Sequence, residues 1–335
     1  MTGKEGVCVL TVVLLTAVSG AAQTVPDGWT APHTADGHPD IQGVWANNQA
    51  TPLERPAELA DRSTLTDEEQ AALAARALEL FGGDGDAAFG DGVFNAVLAD
   101  PEKYASSDGG TGNYNAFWVV ERDFDNRTSL VVDPPSGRIP LRAETIAARA
   151  ARDSSRRLSP AGPEEAGLNV RCVTFGAPYL FAGYNSYFQI LQTATHVAIV
   201  QEMIHDARII PLTDSPHIDD DVDQWHGDSR GHWEGDTLVV ETTNYRTIEG
   251  MAPEFMTGGG TDKRRIVERF SRVGPDTLRW AVTFDDPETW AQPWTAEMIM
   301  SSTDQAIFEY ACHEGNIGLH GVLAGTRQLE QSDTP

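Results

Sequence analysis

The sequence contains few basic residues for its length. Lysine and arginine together number 24 in 335 residues, against 50 aspartates and glutamates, which gives a formal net charge of −26. Phosphate backbones and anionic lipid headgroups repel such a chain, so the composition disfavours binding to nucleic acid or to a membrane surface. We therefore expect a small-molecule substrate or ligand as the partner, and the sequence leaves the oligomeric state open.

Long apolar runs are scarce as well. The one pronounced run covers residues 7–18, after Lys4 and before a stretch of small residues. A cation, a short apolar segment and a small-residue tail are typical of a secretory signal peptide, and the run is too short to span a bilayer. We predict a signal peptide over residues 1–22, no membrane span, and a bacterial protein that is periplasmic or secreted.

Cysteine is scarce too. There are three cysteines, and Cys8 lies within the predicted signal peptide, which leaves Cys172 and Cys312. Two remaining cysteines in an oxidising compartment more often pair than stay free, so we predict a disulfide between them. Two buried free thiols are the alternative. Two cysteines alone do not complete a zinc site.

Short β-branched and aromatic runs dominate from residue 117 onward, separated by turn residues rather than by helices. The runs cover residues 117–121, 129–132, 187–192, 196–203, 207–211, 237–243, 265–273, 277–284, 294–300 and 306–312. This pattern predicts a mainly β fold, an antiparallel meander that closes into a lipocalin-like (calycin-like) barrel or packs as a sandwich. The strict alternation of apolar and polar residues over 277–284 is typical of a half-buried strand.

The residues before this meander differ in character. Residues 23–112 are predicted to form an extended and helical N-terminal arm that packs on the β domain of residues 113–335. Within the arm, Thr66 precedes a run of acids and predicts a capped helix of about 15 residues. The apolar residues that recur at helical spacing are Leu73, Ala77, Leu78 and Phe81. A second helix is predicted over residues 144–157.

Three stretches concentrate histidine, acidic and aromatic side chains: residues 202–208, 225–236 and 310–316. General acid/base chemistry needs a carboxylate or histidine in a partly dry pocket, with a cation that stabilises developing charge. We predict His205 or His313 as the base or acid, Asp228 as the second carboxylate, and Arg230 as the electrostatic anchor, ion-paired with Asp228. The further candidates are Glu314 for catalysis and Glu202, Asp206, Tyr184, Trp225 and Trp233 for substrate binding.

These residues favour an exported hydrolase or lyase that acts on a small carbohydrate-like or aromatic substrate at the mouth of the barrel. One alternative is a periplasmic, lipocalin-like ligand-binding protein without catalysis. A second is a serine hydrolase, because residues 227–231 fit the G-x-S-x-G pattern around Ser229. That motif requires a helix after the serine, whereas a strand-like run follows here.

No cofactor is predicted, although two metal sites are conceivable. Histidines on adjacent strands could converge with a carboxylate on a divalent metal; the candidates are His205, His226, His232 and His313. The acid-dense residues 214–223 resemble oxygen-rich loops that bind calcium, but they lack the spacing of an EF-hand. A solvated, charged loop is the simpler interpretation of that segment.

Three longer motifs stand out together. They are RTSLVVDPPSGRIP at residues 127–140, GDSRGHWEGDTLVVETTN at 227–244 and EYACHEGN at 309–316. With them, the chain resembles a large family of exported bacterial proteins of unknown function, over residues 40–330. The resemblance implies export and a single domain, and it assigns no activity and no functional residue.

Overall fold

The computed structural model describes residues 28–81, 91–98, 122–153, 160–180, 182–246 and 260–332. The predicted signal peptide (residues 1–22) and the predicted strand 117–121 lie outside these ranges. In the described part, no helix is both long enough and apolar enough to cross a membrane.

The fold is mainly β. The strands are β1 (Gly43–Ala46), β2 (Val131–Asp133), β3 (Tyr187–Gln192), β4 (His196–Gln201), β5 (Ala207–Pro211), β6 (Asp228–Glu234), β7 (Thr237–Thr243), β8 (Arg265–Gly274), β9 (Thr277–Asp285) and β10 (Trp294–Thr303). The α-helices are α1 (Asp67–Phe81), α2 (Asp91–Leu98), α3 (Ala143–Asp153) and α4 (Ile317–Ser332). Short 3₁₀ helices cover Ala57–Leu59, Pro163–Glu165 and Met203–His205.

The strands form one antiparallel sheet with the order β5-β4-β3-β1-β10-β9-β8-β7-β6, and β2 pairs with one end of β10. The prediction of an antiparallel meander is thus confirmed for most strands. Two strands, β1 and β6, were not predicted, and the predicted strand over 306–312 is irregular backbone. β1 lies between β3 and β10, so the N-terminal segment supplies an inner strand of the sheet.

One face of the sheet is apolar. Along β9, Leu278, Trp280, Val282 and Phe284 are buried and the residues between them are only half-buried, which is the predicted alternation. Aromatic rings fill this core: the ring of Trp280 stacks on Phe270 at a centroid distance of 5.6 Å. Burial of such side chains supplies most of the driving force for the sheet, because each aromatic removes a large apolar area from water.

The strands β5 and β6 are the two ends of the sheet path, and they meet at a single point. A parallel bridge joins Leu212 to Gly231, where the Thr213 N–H donates to the Gly231 carbonyl oxygen at 3.1 Å. A Cβ atom on Gly231 would stand 2.9 Å from Leu212 Cδ2 and 3.1 Å from Ile210 Cγ2, so glycine permits this approach.

This isolated bridge does not amount to a continuous hydrogen-bonded pairing of β5 with β6. Within the described residues the sheet is curled but not closed, so the predicted closed barrel is wrong, and an open sheet or sandwich arrangement is what remains. A physical reason lies in Pro211, which ends β5 and has no N–H to donate to a neighbouring strand.

The helices agree with the sequence pattern where the structure describes them. α1 begins after Thr66 and packs with α2 in a small separate core. α3 begins one residue before its predicted start, and residues 154–157 of the predicted helix lie outside the described ranges.

The two remaining cysteines lie at disulfide distance. The Sγ atoms of Cys172 and Cys312 are 2.07 Å apart, which confirms the predicted pairing. The bridge joins the loop before β3 to the segment that follows β10, and so it ties together two parts of the chain separated by 140 residues.

Candidate functional site

A cavity of about 550 Å³ lies where the open edges β5 and β6 approach each other. It is lined by Val173, Ala207, Arg208, Ile209, Asp223, Gln224, Trp225, His226, Gly227, Asp228, Ser229, Arg230 and Arg246. Most of this wall is polar or charged, which distinguishes it from the apolar cavity of a typical small-ligand carrier.

The rim of the cavity is formed by the segment between β5 and β6. Asn244, which directly follows β7, holds this segment in place. Asn244 donates from Nδ2 to the carbonyl oxygens of Asp219 at 3.0 Å and Val222 at 3.2 Å. Gly227 turns the chain into β6 with φ +68°, and a Cβ there would stand 2.5 Å from the Thr243 carbonyl oxygen. Only glycine fits this turn without displacing backbone.

The predicted ion pair between Asp228 and Arg230 is present in this wall. Arg230 donates from Nη1 to Asp228 Oδ1 at 2.7 Å and to the Ser229 carbonyl oxygen at 2.9 Å. Asp228 is only 7% exposed, so its carboxylate needs these donors. Its catalytic role stays a prediction.

A histidine that sequence reasoning did not single out completes this cluster. His217 donates from Nδ1 to Asp228 Oδ2 at 2.8 Å, and its Nε2 lies 3.7 Å from Glu241 Oε1. Glu241 in turn pairs with Arg265, whose hydrogen bond lowers the pKa of that carboxyl. No local motif marks His217, because its partners lie on the paired strands β6 and β7.

The second polar cluster of the wall contains His226. Its Nε2 lies 2.9 Å from Thr174 Oγ1 and 3.4 Å from Asp206 Oδ1. Thr174 donates its hydroxyl proton to Asp206 Oδ2 at 2.7 Å and accepts the Gly176 N–H at 2.7 Å. Because the single Thr174 proton goes to a carboxylate, the contact with His226 requires that Nε2 carries the ring proton. The other ring nitrogen, Nδ1, is then the basic atom of the neutral imidazole.

A buried ion pair lies behind the cavity. Arg208 of β5 donates to both carboxylate oxygens of Glu268 of β8, at 2.5 Å and 2.9 Å, and Trp280 Nε1 adds a third donor at 3.1 Å. Burial by itself would lower the pKa of Arg208, but the attraction of Glu268 outweighs it and raises the pKa above its ordinary value. Next to the pair, burial raises the pKa of Tyr245 to about 12.

Arg246 also belongs to the cavity wall and lies over the indole ring of Trp225, with its guanidinium carbon 4.8 Å from the ring centroid. Arg246 is exposed, and in the described part of the chain its side chain forms no ion pair and no hydrogen bond. The predicted binding residue Trp225 therefore does line the cavity, together with a cation that the sequence pattern did not indicate.

The structure brings together only some of the predicted site residues. Asp228, Arg230 and Trp225 line the cavity, and Asp206 reaches it through His226. The other predicted residues do not line it: Glu202, His205, Tyr184, Trp233, His313 and Glu314. Their assigned roles remain untested predictions.

Several of these residues have other contacts. Glu202 is buried and accepts the Phe308 N–H at 3.0 Å. The exposed His205 contacts the Tyr310 carbonyl oxygen through Nδ1 at 2.9 Å. Trp233 stacks on His38 with ring centroids 5.0 Å apart. His313 is exposed and lies in the segment just before α4.

Ser229 lines the cavity from within strand β6, and its hydroxyl contacts Thr242 Oγ1 at 2.9 Å. A nucleophile elbow needs a strand, a sharp turn at the serine and a helix, and the chain here continues as a strand into the β6–β7 hairpin. The serine-hydrolase alternative therefore gains no support from this geometry.

The two conceivable metal sites are not assembled in the described part of the chain, where no group of three or more histidine, cysteine, aspartate or glutamate residues is placed to hold a metal ion. This includes the acid-dense residues 214–223 and the four candidate histidines. No cofactor is established by these observations.

Comparison with models of known protein families finds no match, and a search of curated proteins finds none either. The resemblance to exported bacterial proteins therefore stays a prediction based on the three sequence motifs. The function must be argued from the site itself.

Proposed function

We propose that the protein is an exported enzyme, a hydrolase or lyase, that acts on a small carbohydrate-like or aromatic substrate in this cavity, with His226 as the general base. The observation that carries the proposal is the hydrogen-bond arrangement of His226, Thr174 and Asp206. It assigns the proton to Nε2 and leaves Nδ1 as a base on a residue that lines the cavity.

The arrangement suits proton transfer. When Nδ1 takes a proton from water or from a substrate C–H group, the ring becomes a cation, and the Asp206 carboxylate 3.4 Å from Nε2 stabilises it. In hydrolysis the activated water oxygen then attacks the substrate; in elimination the electrons of the C–H bond expel a leaving group. The proton on His226 is afterwards returned to the leaving group.

Arg230 would stabilise negative charge that develops on the substrate. Asp228 holds the guanidinium through Nη1, and such a pre-oriented cation gives more stabilisation than one that must reorient during the reaction. Trp225 provides a flat apolar surface for a sugar or aromatic ring. The paired cysteines support the proposal of export, because disulfides persist in oxidising compartments.

The proposal can be tested with a panel of aryl glycosides, aryl esters and glycosides of uronic acids. We expect turnover of at least one substrate class, and we expect His226→Gln to lower kcat by roughly a hundredfold or more with little change in thermal melting. The matched control is His232→Gln, because His232 lies six residues further along the chain, on β6, is exposed and does not line the cavity.

Undiminished turnover in His226→Gln would contradict the assignment of the base. Binding of ring compounds without turnover of any panel member would favour the ligand-binding alternative instead. The pH profile adds a second check: kcat/KM should fall towards acidic pH, because protonation of the ring removes the base, and this acidic limb should be absent in the variant.

A further inference from the structure

The charge of the cavity wall departs from that of the chain. Acidic residues outnumber basic residues 50 to 24 in the sequence, yet the wall carries three arginines, Arg208, Arg230 and Arg246, and two aspartates, Asp223 and Asp228. Arg208 and Arg230 are largely buried, so their charges need acceptors, whereas Arg246 is exposed and is solvated by water unless an anion binds it.

Two of the three arginines are compensated by the protein. Arg230 pairs with Asp228, and Arg208 pairs with Glu268. Even so, each of these guanidinium groups uses two of its five N–H donors in hydrogen bonds to described residues. The Nε atom of Arg230 is buried and has no hydrogen-bond partner among the described residues, so this guanidinium group keeps an unused donor.

Arg246 is not compensated in this way. Its contact among the described residues is the ring of Trp225, and no carboxylate pairs with it there. Asp223 is the remaining charged residue of the wall, and both Asp223 and Arg246 are exposed, so water and salt screen both charges. The stacked Trp225–Arg246 pair therefore presents an apolar ring surface beside a cation with free N–H donors.

We propose that the cavity selects ring compounds that bear a carboxylate, with the ring against Trp225 and the carboxylate on Arg246. A guanidinium group is planar and matches a carboxylate with two parallel hydrogen bonds, and its contact with the indole restricts where it lies. Uronic acids and aromatic acids share this chemistry. The inference deepens the proposed function, since it names the substrate class of the same site.

Calorimetric titration of the full chain at low salt tests the inference without requiring turnover. The probes are glucuronate and benzoate, and their neutral counterparts are glucose and benzamide. We expect at least one of the two anions to bind roughly tenfold or more tightly than its neutral counterpart, and Arg246→Gln to remove that preference. The control is Arg269→Gln, because Arg269 is exposed and pairs with Glu234 away from the cavity.

Equal affinity for anions and neutral compounds, no binding of either anion, or an anion preference that survives in Arg246→Gln would each overturn the inference. His226→Gln separates this result from the proposed function, since it should keep the anion preference while it loses turnover. An anion preference in a protein whose turnover does not depend on His226 would overturn the assignment of the base and leave the substrate class intact.

Discussion

The hydroxyl group of Thr174 connects three parts of the site. It donates to Asp206, accepts from His226 and accepts the N–H of Gly176, so all of its hydrogen-bonding capacity is used inside the protein. Thr174 is buried and touches no substrate in the proposed mechanism. We therefore regard it as a positioning residue that orients the ring of His226.

Replacement of Thr174 by valine keeps the shape of the side chain and removes the hydroxyl. Because it leaves buried donors and an acceptor without a partner, we expect a loss of about 1–3 kcal/mol in the free energy of unfolding, measured with urea. We also expect a lower kcat and a displaced pH profile, since His226 Nε2 loses its contact with the hydroxyl at 2.9 Å and keeps only the Asp206 carboxylate at 3.4 Å. Thr174→Ser should restore both; a normal pH profile in Thr174→Val would contradict the positioning role.

Glu268 is the other residue whose effect follows from burial. It has 0% exposure, and its carboxylate accepts from Arg208 and Trp280. Glu268→Gln should lower the free energy of unfolding by about 3–5 kcal/mol, because it leaves the Arg208 charge buried without its partner. The double variant Arg208→Met, Glu268→Leu should recover most of that loss in urea unfolding; if it is less stable than the single variant, the interpretation is wrong.

At the scale of single elements, helix α1 illustrates how local sequence sets a helix start. The Glu69 N–H donates to Thr66 Oγ1 at 3.2 Å and the Thr66 N–H donates to Glu69 Oε2 at 2.9 Å, which is a capping box. Thr66→Ala should lower the free energy of unfolding by about 1 kcal/mol. Urea unfolding at pH 7 measures this change, and an unchanged midpoint would contradict it.

The ionisation of Glu69 in this capping box also predicts that the free energy of unfolding depends on pH. The hydrogen bond from Arg62 holds the pKa of Glu69 at about 2, below its ordinary value of 4.5. A pKa that is lower in the folded state stabilises the fold above about pH 4.5, and this contribution is lost as the pH falls through 2. Glu69→Gln should thus be slightly less stable than the parent at pH 7 and equal to it near pH 2. The difference at pH 7 is small because the Arg62–Glu69 pair is exposed. Glu68→Gln is the matched control, since Glu68 shares the first turn of α1 without a side-chain hydrogen bond in the described part.

Strand β6 shows the opposite relation between sequence and element. Its seven residues, DSRGHWE, include four ionisable side chains and a glycine, and they lack the apolar alternation that predicts a strand. It is a strand because it pairs along its length with β7, and because Gly231 allows Leu212 to approach from the other edge of the sheet. Tertiary packing outweighs the weak β-propensity of glycine and aspartate here.

For the molecule as a whole, the disulfide is the covalent link that joins residues far apart in the sequence. It closes a loop of 140 residues, which in the chain-entropy treatment contributes about 4–5 kcal/mol to the free energy of unfolding. Reduction with dithiothreitol, or the double variant Cys172→Ser, Cys312→Ser, should lower the urea midpoint accordingly. Dithiothreitol should leave the double variant unchanged, and a parent protein of equal stability with and without reductant would contradict the prediction.

The sequence by itself determined the features that depend on neighbouring residues. The alternation in β9, the capped start of α1 and the pairing of two remaining cysteines each follow from short-range periodicity or from simple counting. The ion pair between Asp228 and Arg230 was also predicted, from the nearness of the two charges in the sequence, although the strand that places both side chains on one face was not.

Only the tertiary structure decided which distant segments meet. The insertion of β1 between β3 and β10, the open edge after Pro211, and the cluster of Thr174, Asp206 and His226 join residues that no local pattern relates. A period of two residues shows which face of a strand is buried, but it does not show which strands become neighbours. That choice depends on side-chain packing across the whole sheet, so the contacts of His226 became visible only when the loop before β3 and the loop before β6 were brought together.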